Sequence, residues 1–285
     1  MLERKTRGSV VCPSCGRLVG VNDERCYHCG HWNPGLWGWA PALGKLGNDF
    51  GFTPLLVTLC LIFYGISLLM GMRPIEGGGL LAIFGILAPE TKGLLVLGAS
   101  GGYPVIAFGH WWTVLTAGWL HGSLPHILFN LYYLAMIAPG MAKLYGVGRM
   151  TIIYVLSSAV GFLTTSVMFL VPLPIIQGAP LTVGASAGLC GFLGALLTYY
   201  DRTGNIGMRS RIIQSAIGLL IFGLVLGFVD NWAHIGGFVG GWLAARWLDP
   251  LRPETQNHLL GALACLIATV LAFVVQFITP LPEVF

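Results

Sequence analysis

The chain has 285 residues, of which 9% are charged and 55% apolar, and its formal net charge is +4. Soluble domains carry about 25% charged residues, so this composition excludes a soluble globular protein and predicts an all-α polytopic membrane protein. Glycine, at 41 of 285 residues, suits helices packed closely through small side chains.

Residues 1–35 form a separate polar module with no apolar core of the kind a cleavable signal peptide needs. Within it, CPSCGRLVGVNDERCYHCG places Cys12, Cys15, Cys26 and Cys29 in two C-x2-C pairs, each followed by a glycine. Four thiolates on two tight turns are the donor set of a structural tetrahedral zinc site, and so short a segment needs the metal to fold. The pattern resembles a zinc ribbon. His28 and His31 are expected at its surface. Cys60, Cys190 and Cys265 lie singly in apolar runs and are expected to be inert, with no disulfide framework.

Residues 36–51 read as a linker rich in Gly, Pro and Trp that leads to the membrane surface. Seven apolar runs of spanning length follow, near 52–72, 125–142, 149–171, 182–200, 211–229, 233–249 and 258–279. With the N-terminus inside, 13 of the 15 Lys and Arg residues fall on inner segments and only Arg73 and Lys92 on outer ones. The positive-inside bias therefore predicts a cytoplasmic N-terminus, an outer C-terminus and a reducing surrounding for the cysteine module. The outer segment 73–124 holds apolar pieces too short to span and is expected at the interface, with Trp111, Trp112 and Trp119 at headgroup depth. The seventh run shows no polar site and is expected to pack outside the core.

In this topology three polar stretches enter from the outer face at one level: HGSLPHILFN on the second run, GASAGLCGFLG on the fourth and NWAHIGGFVGG on the sixth. They sit on the order of 5–10 Å below the surface. Strongly polar groups inside a membrane are costly and face the bundle interior, where they have a partner or a function. Ser186 and His234 on two small-residue faces suggest a nucleophile and its base. His126 and Asn130, four residues apart, share one helix face. Gly184, Gly188 and Gly191 are expected to meet Gly237 and Gly241, drawing the fourth and sixth helices together.

These three motifs, in this order and spacing, resemble the rhomboid family of intramembrane serine proteases over roughly residues 52–250. The resemblance implies a six-helix core at 52–250, with 251–285 contributing an additional C-terminal transmembrane helix. It also implies a Ser186–His234 dyad, an oxyanion site at His126 and Asn130, no catalytic cofactor, and single-span transmembrane proteins in the lipid bilayer as substrates. Catalysis is expected near the outer face of a bacterial plasma membrane, with the loop 226–233 as a lid. Three positions depart from the family pattern: Ala187 after the serine, Thr113 after Trp112, and Cys190 one turn beyond Ser186. The alternative is a weak or inactive rhomboid-like protein that binds membrane clients. A protein partner is possible for the zinc ribbon, whereas its lack of a basic, aromatic-interleaved stripe argues against nucleic acid.

Overall fold

The computed structural model describes residues 4–46, 49–74, 80–172, 177–227 and 229–280. At the N-terminus two short antiparallel strands, β1 (Ser9–Val11) and β2 (Leu18–Gly20), pair in the register Val10 to Val19. Val10, Val19, Val21, Cys12 and Cys26 make up its small buried centre.

Seven long helices follow: α1 (Phe52–Leu69), α2 (Leu124–Tyr145), α3 (Val147–Met168), α4 (Ser186–Arg202), α5 (Ile206–Leu226), α6 (Asn231–Trp247) and α7 (Gln256–Ile278). Each coincides with one apolar run of the sequence. Among the described residues, five of them are long and apolar enough to cross a bilayer, namely α1, α2, α3, α5 and α7. The remaining two, α4 and α6, have 17 residues each. Helix α4 begins later than its apolar run, because residues 181–185 are non-helical, whereas α6 begins two residues before its run, directly after Asp230.

The layering follows from which faces are apolar and which are small. Two-thirds (67%) of the apolar window of α3 is buried, against 11% for α5, so α3 is the central post and α5 a peripheral one. Two buried hydroxyls of α3 are satisfied within the helix: Ser157 donates to the Ile153 carbonyl and Ser166 to that of Phe162. The buried Ser158 hydroxyl of the same helix has no hydrogen-bond partner among the described residues. Around it, Leu134, Met141, Tyr145, Tyr154, Phe192 and Leu56 fill the main core, and the exposed Leu, Ile, Val and Phe side chains of α1, α5 and α7 form the lipid-facing surface.

The chain before α2 folds into short helical turns, Thr91–Val96, Gly102–Ala107 and Thr113–Thr116, rather than a span. Two sequence expectations change here. Trp119 is buried, 4% exposed, and packs in the main core against Tyr154, whereas Trp111 is 67% exposed. The seventh helix also carries a polar site after all: Gln276 is 3% exposed and hydrogen-bonded to the outer segment.

At the opposite end of the bundle, Arg149 at the start of α3 ties two turns together. Its guanidinium donates to the carbonyls of Tyr145, Asp249 and Arg252. Glu254 accepts the backbone N–H of Arg149 at 3.1 Å and so caps α3 from a distant part of the chain. The N-terminal module abuts these same turns, and Pro13, Cys29 and His31 share a cavity of about 240 Å³ with Arg149, Pro253 and Glu254.

Candidate active site

The site forms where α3, α4 and α6 meet. Ser186 is the first residue of α4, and His234 lies in the first turn of α6. Asp230 caps α6 by accepting the Ala233 N–H at 3.0 Å, which fixes where the helix starts and on which face His234 projects. The result is a hydrogen-bond distance of 2.8 Å between His234 Nε2 and Ser186 Oγ.

What brings the two helices so close is the absence of side chains. A Cβ on Gly237 would overlap the carbonyl of Ala187, and one on Gly241 that of Gly191. On α3, Gly161 faces the Ala233 carbonyl, the Ala187 methyl and the Gly237 N–H, so all three helices converge on one glycine that sequence reasoning did not single out. The other glycines have different neighbours from those expected. Gly191 also faces Ser157, Gly188 packs on the ring of Tyr154, and a Cβ on Gly184 would lie 2.6 Å from His126 Nε2. The α4–α6 seam thus includes Gly191, Gly237 and Gly241, and also Gly194, whose Cβ would overlap the Phe238 carbonyl, while Gly184 and Gly188 let α2 and α3 approach.

His126 stands on the other side of Ser186. Its Nδ1 accepts the N–H of Gly122 at 3.3 Å, so the proton of a neutral ring resides on Nε2, the nitrogen facing Gly184. Asn130 is buried, and its amide donates to the His126 backbone carbonyl at 2.9 Å. His126 Nε2 and Ser186 Oγ both border the space beside Gly184, at 2.6 and 3.6 Å from where its Cβ would be. His234 Nδ1 has no hydrogen-bond partner among the described residues, in keeping with a pair rather than a carboxylate-anchored triad.

A loop framework missed at the sequence level holds the approach to α4. Ser100 and Thr182 exchange backbone hydrogen bonds at 3.0 and 2.7 Å, and Gly184 N–H donates to the Ala117 carbonyl at 3.0 Å. These are two-residue contacts without a hydrophobic period, so the sequence held no signal for them. His110 and His121, expected at the interface, are buried at 6% and 0% exposure, and His121 packs edge-on to His126 at 5.2 Å. Of the proposed lid 226–233, residue 228 lies outside the described residues; the remainder leads into the Asp230 cap.

Some distance away, the sulfurs of Cys12, Cys15, Cys26 and Cys29 lie within 4.8 Å of one another and could hold a metal ion. The Cys12–Cys29 and Cys15–Cys26 separations are both 3.7 Å. Four sulfurs about 2.3 Å from one ion in a tetrahedron stand about 3.8 Å apart, so the cluster fits zinc. Both turns close alike: the N–H of Gly16 donates to Cys12 and that of Gly30 to Cys26, with both glycines at φ +74° in the left-handed region. Burial works to raise the Cys26 thiol, but the N–H groups of Cys29 and His28 outweigh it and bring it to about 7. Burial prevails at Cys12 and Cys29, which are raised. His31 is not a surface residue as expected; it is 4% exposed, and burial, with Arg149 nearby, lowers it to about 4.

The rhomboid domain model matches residues 108–250. The rhomboid protease GluP of Bacillus subtilis is 31% identical over 222 residues, covering 76% of this chain and 40% of that protein. RHOMBOID-like protein 7 of Arabidopsis thaliana is 34% identical, covering 55% of this chain and 49% of that protein. Inactive RHOMBOID-like protein 8 of the same plant is also 34% identical, covering 45% of this chain and 35% of that protein. The chain spans half or less of the length of each of these relatives.

Proposed function

The chain belongs to the rhomboid family, and from that footing we propose that it is an intramembrane serine endopeptidase in which Ser186 is the nucleophile and His234 its general base. The observation that carries this reading is the 2.8 Å contact between Ser186 Oγ and His234 Nε2. A serine hydroxyl is a weak nucleophile near neutral pH and needs a base within this reach. In the first step His234 Nε2 takes the hydroxyl proton while Oγ attacks the scissile carbonyl. The developing oxyanion is met by the Nε2–H of His126, the Ser186 N–H and, after a rotation that frees it from the His126 carbonyl, the Asn130 amide. The imidazolium returns its proton to the departing amine, and water then releases the acyl group by the same route in reverse.

The substrates in this reading are single-span membrane proteins, cut near the outer face of a bacterial plasma membrane where their helices can unwind. The N-terminus lies in the cytoplasm, the C-terminus outside, and all seven helices span. Residues 1–35 are a ribbon with a structural zinc on the four cysteines, 36–51 a linker, 52–250 the protease core and 251–285 an added helix. The ribbon packed at the Arg149 end of the bundle supports a role in holding those turns, and its outer surface is free for a protein partner.

One relative carries the word inactive in its name, so a client-binding protein without catalysis is the competing reading. The hydrogen-bonded serine and histidine favour the hydrolase. The deciding experiment is labelling with a fluorophosphonate probe in detergent, with wild type beside Ser186→Ala and His234→Ala. Labelling of wild type that is lost in both variants supports the protease. A folded wild type that neither labels nor cleaves a transmembrane substrate in liposomes supports the client-binding protein.

A further inference from the structure

The seventh helix ends beside the outer segment, and Gln276, one of its two buried polar side chains among the described residues, is bonded to that segment on two sides. Gln276 Nε2 donates to the carbonyls of Leu95 at 2.8 Å and Val96 at 3.3 Å, while its Oε1 accepts the indole N–H of Trp112 at 2.9 Å. Leu95 and Val96 close the short helix Thr91–Val96, whose last carbonyls have no partner within that helix. An amide side chain can satisfy two carbonyls with its NH2 group and an N–H with its oxygen. One turn back along α7, Phe273 stacks on Phe63 of α1 at 4.6 Å with the rings 8° from parallel, which holds α7 at this register.

From Gln276 a continuous set of contacts leads to the serine. Gly98 follows the helix that Gln276 terminates, and its carbonyl accepts the Thr116 hydroxyl at 2.6 Å. The next residue, Ala117, accepts the Gly184 N–H, two residues before Ser186. On the other branch, Trp112 precedes Thr113, whose hydroxyl donates to the Ser100 hydroxyl at 3.3 Å, and Ser100 pairs with Thr182 in the approach to α4. Both arms of the clamp therefore converge on Thr182–Gly184.

We propose that Gln276 is a positioning residue: by clamping Trp112 and the Leu95–Val96 turn, the seventh helix sets the outer segment that in turn fixes the Gly184–Ser186 turn. The outer segment is in this way anchored by a helix outside the six-helix core. The inference rests on Ser186 being the nucleophile only for its effect on rate; the clamp itself is testable without activity.

The test compares full-length wild type with Gln276→Met, which keeps length and apolar volume, and Trp112→Phe, which removes the indole N–H together with part of the ring. Hydrogen exchange is read by mass spectrometry in detergent, with fluorophosphonate inactivation measured on the same samples. In Gln276→Met, amides of residues 94–118 should exchange at least about tenfold faster while those of α2 and α3 are unchanged. The maximal inactivation rate should fall on the order of ten- to a hundredfold, with the probe concentration for half-maximal rate unchanged. Trp112→Phe should shift both in the same direction by less, and the double variant should fall short of the sum of the two. Unchanged exchange in 94–118, or an equal rise throughout the bundle, overturns the proposal. Should Gln276→Met not fold, Trp112→Phe decides on the same two regions. Should wild type not react with the probe, the protease reading fails while exchange alone decides the clamp.

Discussion

Gly237 of α6 lies directly against the carbonyl of Ala187 on α4, one residue from Ser186 and three from His234. Backbone meets backbone there, so the distance between the two reacting side chains is set by the lack of a side chain at a third position. Gly237→Leu should force α6 away from α4 and break the Ser186–His234 contact without altering either residue. Overpacking of this kind costs about 1–3 kcal/mol. We expect a helical, extractable protein whose fluorophosphonate labelling falls at least about a hundredfold; wild-type labelling in such a protein would show that the seam does not set the dyad.

His126→Ala should leave the serine and its base in place and remove one donor from the oxyanion position. Loss of one such donor costs about 3–4 kcal/mol, or roughly a hundred- to a thousandfold in kcat. KM should change little, because the donor acts on charge that develops only in the transition state. Asn130→Ala should cost less, since the Asn130 amide is engaged with the His126 carbonyl in the resting protein. Equal losses in both variants, or losses expressed in KM, would argue against these roles.

Cys12→Ser or Cys26→Ser should abolish binding of zinc to the N-terminal module. Metal analysis of the purified protein should give one zinc per wild-type chain and none in either variant. Residues 9–32 should then become protease-sensitive, because their buried centre is a handful of valines around the sulfurs. The helical signal of the bundle should persist. A wild-type chain free of zinc, yet ordered in this region, would refute the assignment.

Glu254 offers a pH test at the Arg149 end of the bundle. Burial raises its carboxyl above the ordinary 4.5, against the lowering by the Arg149 and Gly148 N–H groups and the Arg149 charge. A raised carboxyl binds its proton more tightly in the folded than in the unfolded chain. Its stabilising contribution is therefore full below 4.5 and is lost as pH rises through the raised value. The Tm of wild type minus that of Glu254→Gln should accordingly become more negative from pH 4.5 upward. A difference that is flat or grows more positive over that range would contradict the burial argument.

Much of this architecture was visible in the chain because membrane helices announce themselves one at a time. Each run of apolar residues near 52–72 or 258–279 yields a helix in the same place, and the C-x2-C pairs fix four sulfurs through purely local turns. The Ser186–His234 approach could be anticipated because small residues recur at helical spacing on both segments. What the sequence concealed lies in contacts between single residues far apart. The Ser100–Thr182 pairing, the three-helix contact at Gly161 and the Gln276 clamp join positions with no shared periodicity. Gln276 itself stands in plain view within VVQFI, but nothing local says what it faces. Similarly, His31 looks exposed in a polar module and is buried only because that module rests on the turns around Arg149.

The shortness of α4 and α6 has a consequence for the surrounding lipid. Seventeen residues reach about 26 Å, against a hydrocarbon layer of about 30 Å. Spanning as proposed, these two helices would be shorter than the bilayer is thick. A mismatch of this sign is met by local thinning of the bilayer, which would shorten the path of water to the proposed Ser186–His234 pair.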